Sequence, residues 1–194
     1  MRLDLDRIAG RSPAEITDQR YDAAVLIPTI DRGGDHHLLF TKRAADLDEH
    51  AGQMSFPGGG REPADDTIVD TALREADEEI GLRREEATTV GRLDDIRTIT
   101  EYAVTPVVAT VPDRPYERDP REVAEVVVLP VEALCDPANH ECDRRDHPYY
   151  GEVVIHYFRV DGYTVWGATG RILVDVLEST SDWRAPMRSD RDLA

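Results

Sequence analysis

Between Arg74 and Leu82 the chain reads Arg74-Glu75-Ala76-Asp77-Glu78-Glu79-Ile80-Gly81-Leu82. Glu75, Glu78 and Glu79 stand at positions i, i+3 and i+4 of a helical pattern. At about 100° per residue they fall within an arc of about 100°. Three carboxylates so placed repel each other unless a positive charge sits among them. A hard divalent cation, Mg²⁺ or Mn²⁺, is the natural counter-charge, because it prefers oxygen ligands and shares them with substrate phosphates. A solvated acidic helix face is the plain alternative.

The elements that would position these acids are legible around them. Thr67–Gly81 has helical periodicity, with Val69, Ala72, Leu73, Ala76 and Ile80 at three- and four-residue steps. That apolar stripe is centred roughly 120° from the acidic arc, so one side can pack while the other stays open. Gly81 stands where a helix C-cap belongs. Upstream, Pro57-Gly58-Gly59-Gly60 lets the backbone approach closely and bend without side-chain clashes. Ala23–Thr29 and His37–Thr41 read as strands joined by the turn Asp31-Arg32-Gly33-Gly34, and Gln53–Phe56 as a short extended piece. Tyr102–Val111, Glu125–Leu129 and Val153–Val160 are further strands, the last ending at the turn Asp161-Gly162. Gly167–Glu178 is a second helix, with Trp166 expected to seat it on the core. Strands mixed with two main helices make the fold class α/β.

The 194 residues suit a single domain that needs no disulfide staples. No run approaches the ~18 apolar residues of a spanning helix, and Met1 to Arg11 lacks the apolar stretch of a secretory signal, so no membrane partner is expected and the expected location is cytoplasmic. Acids number 40 against 23 Lys plus Arg, a formal net charge of -17; 24 of the acids are Asp and Lys42 is the only lysine. Such a field repels phosphate backbones, so nucleic acid is not an expected partner. Self-repulsion also favours unfolding until salt screens it. The composition resembles that of proteins from salt-in halophiles, and a halophilic archaeal source is the expectation. Cys135 and Cys142, with His140 and His147, have spacing compatible with zinc, but Cys-x6-Cys is not the usual knuckle, so the expected reading is a loop with two incidental thiols.

The acidic segment also carries a family pattern. Gly60, Arg74, Glu75, Ala76, Glu78, Glu79, Gly81 and Leu82 stand in the register of the Nudix box, G-x5-E-x7-R-E-U-x-E-E-x-G-U, with Asp66 in place of its first Glu and Asp65 beside it. The segment resembles that of the Nudix hydrolases. The resemblance implies the Nudix fold, a mixed β-sheet sandwiched between α-helices, and hydrolysis of a nucleoside diphosphate linked to another moiety. It implies divalent-metal binding by Glu75, Glu78 and Glu79, with Arg74 orienting a glutamate. Asp66 is expected as an N-terminal cap or a water-mediated metal contact. The implied layout is an extension over 1–20, the hydrolase domain over 21–180 and a flexible polar tail over 181–194.

A second segment bears on the substrate. Arg43, Leu47, His50, Gly52, Gln53, Phe56, Pro57, Gly58 and Gly59 agree with the signature preceding the box in coenzyme A pyrophosphatases, with Ala44 replacing a Ser. Val104-Thr105-Pro106-Val107, Glu122-Val123-Ala124-Glu125 and Trp166-Gly167-Ala168-Thr169 also look like that subfamily. Thr98–Tyr102 departs, because the subfamily tends to have Ser-Gly there. The resemblance implies cleavage of coenzyme A to phosphopantetheine and adenosine 3′,5′-bisphosphate. ADP-ribose, NADH or nucleotide sugars are the nearest alternative substrates, and a non-hydrolysing nucleotide-binding regulator is the alternative class. The substrate-binding candidates are Arg43, His50, Gln53, Gly58, Gly59 and Arg61. Arg43 and Arg61 are read as phosphate forks, against a structural salt bridge and a solvated loop charge respectively. His50 is read as positioning backbone or substrate more than as a base. Glu122 is the candidate catalytic base, with Glu125 a weaker one. An exposed sheet edge could support a homodimer.

Overall fold

The computed structural model describes residues 1–44, 52–98, 100–147 and 151–186. Strands β1 (Tyr21–Arg32) and β2 (Asp35–Arg43) form an antiparallel hairpin, followed by the short β3 (Met54–Ser55) and β4 (Gly58–Gly60). Helix α1 (Ile68–Ile80) comes next, then β5 (Thr88–Arg92), β6 (Ile96–Arg97), β7 (Tyr102–Thr110) and β8 (Val123–Pro130). A short α2 (Val131–Cys135) leads to β9 (His140–His147), β10 (Gly151–Val160), β11 (Tyr163–Val165) and α3 (Gly167–Thr180).

The main sheet is mixed. β1 runs parallel to β7 and antiparallel to β2 and β4, while β8 closes on β2. Side chains of β1 alternate between two cores. Ala24, Leu26 and Ile30 meet Ala72, Leu73, Ala76 and Ile80 of α1 on one face. Ile27 joins Ile172, Leu173, Val176 and Leu177 of α3 on the other. The sheet therefore lies between helices, as the family resemblance implies.

Helix α1 has the ends its sequence predicts. Thr67 Oγ1 accepts from the Asp70 amide while Asp70 accepts from the Thr67 amide, a reciprocal cap. Gly81 closes the helix at φ 62, in the left-handed region where a Cβ is costly. The cap thus belongs to Thr67, and the expectation that Asp66 would serve as cap is corrected.

The first residues of the chain and the described segment after α3 are tied down more firmly than composition suggests. Leu3 and Ile8 are core residues, and no helix forms after Ser12-Pro13. Asp94 and Asp95 take the amides of Ala14 and Ile16 instead, giving that backbone a partner outside any helix. The expected flexible tail does not begin at Ser181. Trp183 donates from Nε1 to the Cys135 carbonyl at 3.1 Å and lies against Phe158 and His140. Residues 187–194 lie outside the described residues. Trp166 is 38% exposed and stacks on Tyr157, so it marks the start of α3 without anchoring it in the core.

The Cys/His stretch is largely strand, not loop. Cys142 lies on β9 opposite His156 of β10, and Cys135 ends α2. In this conformation no three His, Cys, Asp or Glu side chains of the described residues converge on a metal position, so the acids of α1 would have to turn to take one. His140 is buried, with Nε2 3.1 Å from His156 Nδ1. Burial, then repulsion from His156, lowers the His140 pKa to about 4. The folded state therefore resists a proton that the unfolded chain accepts near pH 6.5. Stability from this site is present above pH 6.5 and is lost as pH falls towards 4. A His140→Phe variant should lose less stability over that interval than the wild type, measured by urea midpoints at pH 7 and pH 4.5; an equal loss would contradict this role for His140.

Candidate active site

The site begins at strand β4, where Gly59 faces Glu75 of α1 and Gly58 lies against β1. A Cβ on Gly58 would lie 2.3 Å from the Ala24 carbonyl oxygen, and one on Gly59 would lie 2.5 Å from Glu75 Oε1. A side chain at position 58 would force β4 off the β1 backbone, and one at 59 would displace the Glu75 carboxylate. Glycine here is a requirement of close approach.

Arg74 organises what the glycines admit. Its guanidinium donates to Asp65 from Nε at 3.1 Å and to the Gly60 carbonyl from Nη2 at 2.9 Å. Nη1 lies 3.0 Å from both Glu75 Oε1 and Glu78 Oε2. Asp65 is almost wholly buried and also accepts from the Glu62 amide and Thr71 Oγ1. Hydrogen bonding to Arg74, then to Glu62 and Thr71, holds its carboxyl at about 2 against the opposing effect of burial. Asp65, not the box-aligned Asp66, therefore anchors Arg74 to the turn before α1. Sequence reasoning missed this role. The available signal was Thr71 and Arg74, one and two helical turns into α1, facing back towards Asp65.

The three glutamates have different surroundings. Glu78 is exposed. Glu75 is half-buried, and burial, reinforced by Glu78 and Glu122, raises its pKa despite Arg74. Glu79 is 5% exposed, and its Oε2 has no hydrogen-bond partner among the described residues. Burial, with the charges of Glu75 and Glu122, pushes its pKa to about 8; the Gly58 amide and Arg43 oppose this only in part. The sequence placed the three acids on one arc, and the structure adds that they carry unequal burdens.

Two sequence-distant candidates join them. The Glu79 carbonyl accepts from the Asp119 amide at 2.9 Å, and the turn from Asp119 sends the Glu122 carbonyl to the Ala44 amide at 2.8 Å. These ties bring Glu122 into the field of Glu75 and Glu79 just before β8. Arg43 ends β2 on the same side. Its Nε is buried without a partner among the described residues. Gln53 ties to Arg43 through its backbone carbonyl at 2.9 Å. Arg61 lies apart, beyond β4, donating to the carbonyls of Asp65 and Asp66. Glu125 is drawn away by the Tyr163 hydroxyl at 2.6 Å. His50 lies outside the described residues.

The unmet charge of Glu79 and the crowded acids beside it fit a divalent cation. In this conformation Arg74, not a ready-made cage, holds Glu75 and Glu78. A cation would be taken up by carboxylates turning from the guanidinium.

The NUDIX domain family model matches residues 20–150. The chain belongs to the Nudix hydrolase family. It is 39% identical over 153 residues to a protein of Cronobacter sakazakii described as an uncharacterized Nudix hydrolase, NudL, covering 78% of each chain. It is 34% identical over 165 residues to the NudL of Photorhabdus laumondii, covering 83% of this chain and 86% of that one. Among solved structures, the Nudix hydrolase RenU of M. smegmatis matches with TM-score 0.51 and 24% identity, over 60% of this chain and 74% of that one. That likeness speaks for the Nudix fold. As a Nudix hydrolase the protein is an enzyme, and enzymes of this family generally use divalent metal ions.

The anchoring role of Arg74 has a measurable cost. Arg74→Met would leave Asp65 charged, buried and without its main partner. Breaking such a pair from one side costs on the order of 3 kcal/mol. Urea denaturation should show that loss, and adding Asp65→Asn should recover part of it. A loss below ~1 kcal/mol would place the anchor elsewhere.

Proposed function

We propose that this Nudix hydrolase cleaves the diphosphate of coenzyme A or its derivatives, using Mg²⁺ or Mn²⁺ held by Glu75, Glu78 and Glu79. The observation that carries the proposal is Glu79, a buried carboxylate with one oxygen unpartnered among the described residues, lying in the field of Arg43, whose buried Nε is likewise unpartnered among them. Arg43 belongs to the segment that resembles the coenzyme A signature. One buried group is therefore suited to a cation and its neighbour to a phosphate.

A bound divalent cation would polarise the diphosphate and offset charge on the leaving phosphate. The chain's own residues do the rest. Arg43 grips a phosphate oxygen of the substrate with its planar fork. Glu122, held near Glu75 and Glu79, accepts a proton from the attacking water as the water oxygen bonds to phosphorus and the phosphoric anhydride bond breaks. Arg74, anchored by Asp65, holds Glu75 and Glu78 close to the site until they turn towards a cation. The acidic surface, at net charge -17, supports the further reading that the enzyme works in molar salt, where screening relieves self-repulsion; the relatives named above are bacterial.

Activity assays separate the reaction from the substrate. Glu78→Gln and Glu79→Gln should each lower kcat by at least ~100-fold with the fold intact; near-wild-type turnover in either would reject the metal assignment. Coenzyme A should be cleaved about ten- to a hundred-fold more efficiently than its 3′-dephospho analogue, as expected from one charge-assisted phosphate contact. Arg43→Ala should shrink that gap if Arg43 makes the contact, whereas a persistent gap would move the contact to Arg61. Faster cleavage of ADP-ribose than of coenzyme A would overturn the substrate reading and leave the chemistry standing.

A further inference from the structure

Glu122 is an exposed residue just before β8, so the place of its carboxylate depends on how its backbone is held. The chain leading to it reads Asp119-Pro120-Arg121-Glu122. Asp at the first position and Pro at the second favour a tight turn, because Pro fixes φ and Asp offers an acceptor to a nearby amide. The structure forms that turn. The Asp119 carbonyl accepts from the Glu122 amide at 3.2 Å and from the Val123 amide at 2.8 Å. Asp119 Oδ1 accepts from the Arg121 amide at 2.9 Å. Pro120 has no amide, so every backbone donor from Arg121 to Val123 is met by Asp119.

Both ends of the turn are fastened to the acidic site. The Asp119 amide donates to the Glu79 carbonyl at 2.9 Å. That carbonyl is among the last of α1, where no partner remains inside the helix. The Glu122 carbonyl accepts from the Ala44 amide at 2.8 Å, directly after Arg43. Arg118 Nη1 donates to the Val123 carbonyl at 2.8 Å and closes the turn from its other side. Glu122 is thus strung between the residue that carries the buried carboxylate and the strand end that carries Arg43. Its charge reaches both Glu75 and Glu79 and raises the pKa of each.

The Asp119 carboxylate makes two contacts of unequal weight. One is an ion pair with the Arg121 guanidinium, whose side chain is 84% exposed, and so exposed a pair contributes little. The other is the bond to the Arg121 amide, which sets the shape of the turn.

We propose that Asp119 is a positioning residue of the hydrolysis: through the Asp119–Val123 turn it holds Glu122 towards Glu75 and Glu79, where the attacking water gives up its proton. The inference rests on the reading above that Glu122 is the base. Misplacing a base slows the chemical step and leaves substrate binding alone, so its signature is a fall in kcat without a rise in KM.

The test is steady-state hydrolysis in Mg²⁺ of coenzyme A or ADP-ribose, whichever is turned over faster. Asp119→Ala should lower kcat by at least ~10-fold with KM within about twofold, the scale expected for a reacting group displaced by a fraction of an ångström. Asp119→Asn keeps an acceptor for the Arg121 amide and should retain kcat within about threefold, while Arg121→Ala should leave kcat unchanged. Glu122→Gln should lower kcat by ~100-fold. In that background Asp119→Ala should cost less than about threefold more, because the two residues act through one group. Pro120→Gly loosens the turn without removing a partner and carries the same comparison if Asp119→Ala does not fold. Wild-type kcat in the loosened turn, an equal loss in Asp119→Asn and Asp119→Ala, or the same loss with and without Glu122 would overturn the positioning role. A low kcat in Glu122→Gln beside an unaffected Asp119→Ala removes the positioning role and leaves the base. Wild-type kcat in Glu122→Gln removes the base itself, and the positioning role with it.

Discussion

Burying a carboxylate without a partner is the constraint around which this molecule is arranged. Glu79 is held against the glycine strand in a place where water cannot serve it and protein groups serve only one oxygen. An uncompensated buried charge is costly, so the group stays partly protonated until a positive charge arrives. Glu75 and Glu122 make the cost larger, while the Gly58 amide and Arg43 reduce it. A fold selected for stability alone would have placed an apolar residue there.

The rest of the structure allows that arrangement to persist. Thr67 and Asp70 cap α1 at one end and Gly81 closes it at the other, so the helix is fixed independently of its acids. Its apolar stripe locks onto β1 and β7. Gly58 brings β4 within a distance of the β1 backbone that any Cβ would forbid, and Gly59 leaves room for the Glu75 carboxylate. Asp65 fixes Arg74, and Arg74 holds the two more accessible glutamates. The Asp119 turn ties the end of the helix to the strand carrying Arg43.

Much of this was legible in residue types and spacing. The helix, its glycine cap, the acidic arc, the β1–β2 hairpin and the main strands follow from local periodicity and turn chemistry, which act within a few residues. The misjudged features depend on distant partners. Asp65 and Asp66 are neighbours of the same type, and only Thr71 and Arg74 in three dimensions select the former. Trp183 looked like part of a polar tail until the Cys135 carbonyl and Phe158 gave it a place. Leu3 and Ile8 were hidden among polar neighbours for the same reason. Strand β9, reading His-Glu-Cys-Asp-Arg-Arg-Asp-His, has little apolar content to betray it, and its conformation comes from pairing with β10. The Tyr21–Tyr102 pair unites residues 81 apart in sequence through parallel strand register, which no local pattern encodes.

The central claim is that the charge left unbalanced at Glu79 is there for a divalent cation. Electron paramagnetic resonance of Mn²⁺ tests it without reference to any substrate. Titrating Mn²⁺ into the wild-type protein should quench the free-ion signal stoichiometrically. The Glu79→Gln protein, still folded, should leave that signal nearly undiminished at the same concentrations. Equal Mn²⁺ uptake by both proteins would contradict the account.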